Sequence, residues 1–109
     1  MNPDALRGHM DALLLSVLER EPLHGYAIIE ALQRRSGGAL SVPTGTVYPA
    51  LRRLERIGHL SSEWATVSGR RRRTYRLTDA GRKQLEGERS AWREFTTVIG
   101  GVLRAETSG

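Results

Sequence analysis

A chain of 109 residues, 39% hydrophobic and 27% charged, is expected to fold as one soluble domain with a modest core, which excludes both a disordered chain and a two-domain arrangement. It has no cysteine, which excludes a disulfide framework, a thiolate metal site and cysteine catalysis and fits a cytosolic compartment. The net charge of +5 is unevenly placed: Thr44 to Thr78 holds eight basic and two acidic residues, a net of +6, and the rest nets −1, so an anionic partner on one surface is expected.

At the N-terminus Asp4 and Asp11 interrupt what would have to be the apolar segment of a signal peptide, and no apolar stretch approaches the about 18 residues that span a bilayer. Leu6, Met10, Leu13, Leu14, Val17 and Leu18 recur at helical steps and predict a first helix over about 5–20, stopped before Pro22. Tyr26, Ile29 and Leu32 predict a second over about 24–36, closed by Gly37 and Gly38, with His24 as its cap or as a phosphate contact. A third, over about 45–57, sets Val47, Leu51 and Leu54 inward and Arg52, Arg53 and Arg56 outward, and Gly58 stops it. Its start has two solutions. With Thr46 as N-cap, Pro49 lies in the first turn, where a missing N–H costs nothing; with Thr44 as N-cap, Pro49 deletes a hydrogen bond.

Residues 60–78 read as a β-hairpin with a four-residue loop, Ser68 to Arg71. The register that opposes Trp64 to Tyr75 and Glu63 to Arg76 satisfies an aromatic pair and an ion pair together, and it places Leu60, Trp64, Tyr75 and Leu77 on the buried face. Arg70, Arg71, Arg72 and Arg73 then lie at or beside the tip. A basic run of this kind also matches localisation signals and RNA-binding tracts, but the alternation of Tyr75 and Leu77 directly after it favours a folded hairpin. Thr78, followed by Asp79, caps a last helix over 79–104, with a tail at 105–109. In that helix Leu85, Glu88, Trp92, Phe95, Ile99 and Val102 follow a heptad-like spacing, and a second subunit is the simplest cover for such a stripe.

The expected fold is therefore mainly α with a small β-hairpin: a winged helix-turn-helix over 1–78, then a long C-terminal dimerisation helix. In that arrangement the third helix enters the major groove of DNA and the hairpin reaches a neighbouring groove. His9, His24 and His59 lie far apart without ligand partners, so no metal is expected. No cofactor and no enzymatic activity are expected either, because phosphate-binding glycine loops, Ser-x-x-Lys and Gly-x-Ser-x-Gly are all missing. The alternative of a different class is a winged-helix module that binds protein.

The strings LLLSVLEREPLHGYAIIEAL, TGTVYPALRRLERIGHL and GRRRRTYRLTDAGRKQL also resemble the PadR family of bacterial transcriptional regulators, over about Leu13 to Leu103. The most specific part is Gly45, Tyr48, Pro49, Leu51 and Leu54, followed by Gly69, Tyr75, Leu77, Thr78 and Gly81. Two positions depart from the family pattern: Pro43 stands where a serine is common, and Thr74 where a second aromatic is frequent. The resemblance implies a homodimeric cytoplasmic repressor that occupies a roughly palindromic operator, the N-terminal helix packing on the partner's C-terminal helix. Carried onto this chain, it places Tyr26, Thr44, Thr46, Tyr48, Arg52, Arg53 and the four wing arginines at DNA, with Arg56 beside them on the basic face of the third helix; Leu6, Met10 and Leu13 of the first helix and the seam Leu85, Trp92, Phe95, Ile99 and Val102 of the last are then expected at the dimer interface. Some members sense aromatic or other apolar molecules between the subunits. Trp92 and Phe95 are the candidate effector contacts here, with packing in the dimer core as their other reading.

Overall fold

The computed structural model describes residue 6 and residues 8–105. Helix α1 (Met10–Val17) is followed by β1 (Leu23–His24), α2 (Gly25–Arg35), α3 (Thr44–Arg56), β2 (Leu60–Val67), β3 (Arg70–Leu77) and α4 (Asp79–Leu103). The architecture is a winged helix with a long C-terminal helix, as the hydrophobic periodicity requires. Helix α1 is shorter than its apolar pattern, because Leu18 and Glu19 form a turn; the expected start near residue 5 and most of the tail, 106–109, lie outside the described residues.

Both α2 and α3 end where glycine allows a left-handed residue. Gly37 and Gly58 have φ of 63° and 87°, and the amides of Gly38 and His59 close back onto the carbonyls of Gln33 and Leu54. Each closure satisfies end carbonyls that have no partner within the helix. The start of α3 follows neither expected cap. Pro43 is the N-cap, no side chain caps it, and Pro49 lies inside the helix. The hydrogen bond that Pro49, lacking an N–H, cannot donate would go to the carbonyl of Gly45; both residues are exposed, so water can donate to that carbonyl instead.

The sheet has three strands in the order β1-β3-β2, where the sequence suggests two. The two-residue β1 pairs Leu23 with Tyr75 and His24 with Thr74, and is too short to carry a periodic signal. The hairpin register also differs from expectation. Trp64 opposes Arg73 and Ser62 opposes Tyr75, a shift of two residues, because the turn is the dipeptide Ser68-Gly69 with φ of 51° and 77°. Positive φ at both central residues gives the tight turn that matches strand twist. A shift of two preserves which face each residue occupies, so Leu60, Tyr75 and Leu77 are buried as expected. Trp64 shares their face but lies beyond the edge of the core and is 56% exposed. The Glu63–Arg76 ion pair forms diagonally, at 2.7 Å.

The core joins Leu14, Leu15, Ile28, Val47, Leu51, Leu54, Leu60 and Leu85. Leu85, expected at the dimer interface, is thus buried in the core of its own protomer. Leu6, Met10 and Leu13 are only partly buried against this core.

Candidate nucleic-acid interface

Helix α3 displays four stripes. Val47, Ala50, Leu51 and Leu54 are buried; Gly45, Pro49, Arg52 and Arg56, at steps of four, three and four, face directly away from them and are exposed. Neither Arg52 nor Arg56 makes an ion pair with any described residue. One flank carries Thr44, Tyr48 and Glu55 toward α2 and the wing; the other carries Thr46 and Arg53 toward α1. The outward face is therefore a basic ridge with hydroxyls at both edges of its N-terminal end.

Arg53 is placed differently from its neighbour. Its guanidinium donates to both carboxylate oxygens of Asp11 on α1, at 2.6 and 2.9 Å. Those hydrogen bonds, with the adjacent negative charge, raise its pKa further above the ordinary arginine value. Tyr48 is also turned inward. A Cβ on Gly25 would lie 2.4 Å from Tyr48 Cε1, so the missing side chain of Gly25 is what seats the ring on the start of α2. Of the residues expected at DNA on α2 and α3, Tyr26, Thr44, Thr46, Arg52, Arg53 and Arg56 are exposed and Tyr48 is half-buried. Arg53 and Tyr48 are tied to α1 and α2.

The wing arginines also separate. Arg70 and Arg71 lie at the tip of β3. Arg73 donates to Ser62 Oγ at 2.7 Å and to Glu55 of α3 at 3.3 Å, and Ser62 in turn donates to Glu55 at 2.6 Å, so this network clips the wing to the helix. Arg72 points to the opposite face, 3.5 Å from Nδ1 of His24. The same nitrogen accepts from the Ala27 amide and caps α2, at 3.3 Å. Burial, followed by the charge of Arg72, lowers the His24 pKa. The neutral ring that capping requires is thereby favoured. The Arg53–Asp11 and Glu55–Arg73 pairings could not be found from periodicity, since each joins residues far apart in sequence.

Residues 14–87 match the Transcriptional regulator PadR-like family. The chain belongs to that family. Among its relatives, the transcriptional regulator Rv3488 of Mycobacterium tuberculosis is 42% identical over 88 residues, covering 80% of this chain and 79% of that protein. A transcriptional regulator from Clostridium thermocellum superposes with a TM-score of 0.85 at 28% identity, covering 93% of this chain and 99% of the other. A PadR family transcriptional regulator from Eggerthella lenta gives 0.82 at 34% identity, with 94% and 88% covered. This PadR-like chain is accordingly a transcriptional regulator by family. Among its described residues no helix is long and apolar enough to cross a membrane.

The PadR-like fold leaves one more surface open. Trp92, Phe95, Val98, Ile99, Val102 and Leu103 on α4 are all exposed, Val102 and Leu103 by more than three quarters. Trp92 stacks on Phe95 at 5.7 Å and meets the edge of His9 at 5.3 Å. Beside them a groove of about 540 Å³ runs between α1 and α4, lined by Leu6, Ala12, Leu13, Leu40 and Trp92 among others. Arg89 ties its walls together through Glu19 and Ser16.

Proposed function

We propose that the protein is a homodimeric, sequence-specific double-stranded DNA-binding repressor that acts by occupying its operator. The observation that carries this reading is the outward ridge of α3, with Arg52 and Arg56 exposed and in no ion pair with a described residue, beside a wing whose tip bears Arg70 and Arg71. A planar guanidinium can bind two acceptors on a guanine edge, which suits Arg52 and Arg56 to base reading. Thr44, Thr46 and Tyr26 supply hydroxyls for phosphates at the edges, and the wing arginines supply sequence-independent attraction. Arg53 then serves as a flank residue held by Asp11, with Arg52 and Arg56 taking the central role.

Pairing of two copies through the exposed stripe of α4 gives a two-fold axis, and hence a roughly palindromic operator with half-sites about one helical turn, roughly 34–36 Å, apart or a multiple of it. Such an operator requires the protein to work in the bacterial cytoplasm, at the nucleoid. The groove between α1 and α4 supports relief of repression by an apolar or aromatic molecule held against Trp92, on which Phe95 stacks. Occupancy would shift the equilibrium only insofar as that molecule prefers one spacing of the two recognition helices.

The test compares duplexes from the DNA upstream of its own gene with random duplexes. Replacing Arg52 and Arg56 with alanine is expected to cost about 1–3 kcal/mol of discrimination for each guanidinium–base interaction removed. Replacing Arg70 and Arg71 is expected to weaken both duplexes alike. Equal losses on both duplexes from both variants would contradict this division.

A further inference from the structure

We infer that Trp64 is a DNA-contacting residue, an aromatic platform that holds the wing arginines against the sugar-phosphate backbone. The inference rests on the DNA-binding reading above, and adds to it a residue that the hairpin pattern assigns to the buried face. Alternation along the strands puts Ser62, Trp64, Arg71, Arg73 and Tyr75 on one face of the wing. That face looks toward α3, because Ser62 and Arg73 both bond to Glu55 there. The hydrophobic core ends at Tyr75, which is 3% exposed, and Trp64 lies one rung nearer the tip, open to solvent.

An indole so exposed gains little from the core, yet it is not isolated. The guanidinium carbons of Arg71 and Arg73 lie 5.3 and 5.9 Å from its ring centroid, within the range of a cation–π contact. Arg73 is itself fixed by Ser62 and Glu55, so the indole is flanked by one anchored guanidinium and one nearer the tip. Its Nε1–H, a donor with no accepting capacity, makes no hydrogen bond to a described residue. A surface of guanidinium groups around an exposed indole N–H, next to the basic ridge of α3, has the chemistry to receive a phosphate-lined strand: the strand's phosphate oxygens accept from the indole and the guanidinium groups, and its sugar faces lie on the ring.

The experiment uses Trp92→Phe protein, in which Trp64 is the only tryptophan. It is titrated at low salt with a fluorescein-labelled random-sequence duplex, and binding is followed by fluorescein anisotropy. The same titration with unlabelled duplex follows tryptophan emission and acrylamide quenching. Binding is expected to change Trp64 emission and protect it from acrylamide. In a background with Trp92 intact, Trp64→Ala is expected to weaken binding about two- to fivefold, while Trp64→Phe keeps most of the affinity. Duplex binding that leaves Trp64 emission, quenching and the Trp64→Ala affinity unchanged would overturn the inference while the DNA-binding reading stands. Absence of any duplex binding by the unmodified protein would overturn both.

Discussion

Gly81→Ala is expected to lower the thermal midpoint by about 10 °C, whereas Gly87→Ala, six residues along the same helix, is expected to raise it slightly. A Cβ on Gly81 would lie 2.1 Å from the carbonyl oxygen of His59 and 2.8 Å from Leu77 Cδ1. That carbonyl accepts the Thr78 amide, and the Thr78 hydroxyl donates to the Gly58 carbonyl at 2.6 Å while accepting from the Gly81 amide at 3.0 Å. The obstacle is therefore backbone locked into the cap of α4, and it cannot rotate away as a side chain could. Overpacking costs about 1–3 kcal/mol and more where backbone must move. Alanine's better helix propensity returns about 1 kcal/mol. A net loss of about 2 kcal/mol corresponds to the stated shift in a domain of this size. A Cβ on Gly87 meets nothing within 4 Å, so only the propensity gain operates there. Thermal unfolding followed by circular dichroism reads both signs, and equal midpoints for the two variants would contradict the packing described.

The second large effect concerns α4. Phe95→Glu is expected to convert a dimer into a monomer, as measured by light scattering during size-exclusion chromatography, and to weaken operator binding about a hundredfold or more through loss of the linked half-site. Six large apolar side chains lie along the C-terminal half of α4, and each is left 39% exposed or more in the described protomer. A carboxylate at Phe95 would be placed at the centre of the stripe beside Trp92. There, burial against a partner would strip its hydration without supplying a counter-charge. Because Phe95 is 53% exposed in the protomer, the substitution leaves the winged-helix core alone, and an unchanged thermal midpoint at low concentration separates the two effects. A wild-type protein that is monomeric at tens of micromolar would contradict this pairing.

What was legible in the sequence was local. Gly37 and Gly58 closed their helices, Thr78 capped α4 and His24 capped α2, because each depends on residues within a few positions along the chain. The arginine ridge of α3 followed from helical spacing alone. What was not legible depended on contacts across the chain. The preference for opposing Trp64 to Tyr75 was reasonable chemistry, but the Ser68-Gly69 turn set the register and left Trp64 outside the core. Arg53 shares the chemistry of Arg52 and differs only in angle around the helix, which carries it to Asp11. Leu85 fits the heptad seam of α4 by spacing, yet the first turns of α4 dock on the winged helix, so that its side chain is buried there.

The central claim is that the basic ridge and wing bind duplex DNA, and the affinity for a duplex as a function of salt tests it most directly. Measurable binding is expected at low salt, with a steep linear fall of log affinity with log salt at a slope of about −0.9 for each phosphate neutralised, summed over several phosphates. No affinity for any duplex at low salt would contradict it, and would favour a winged-helix module that binds protein.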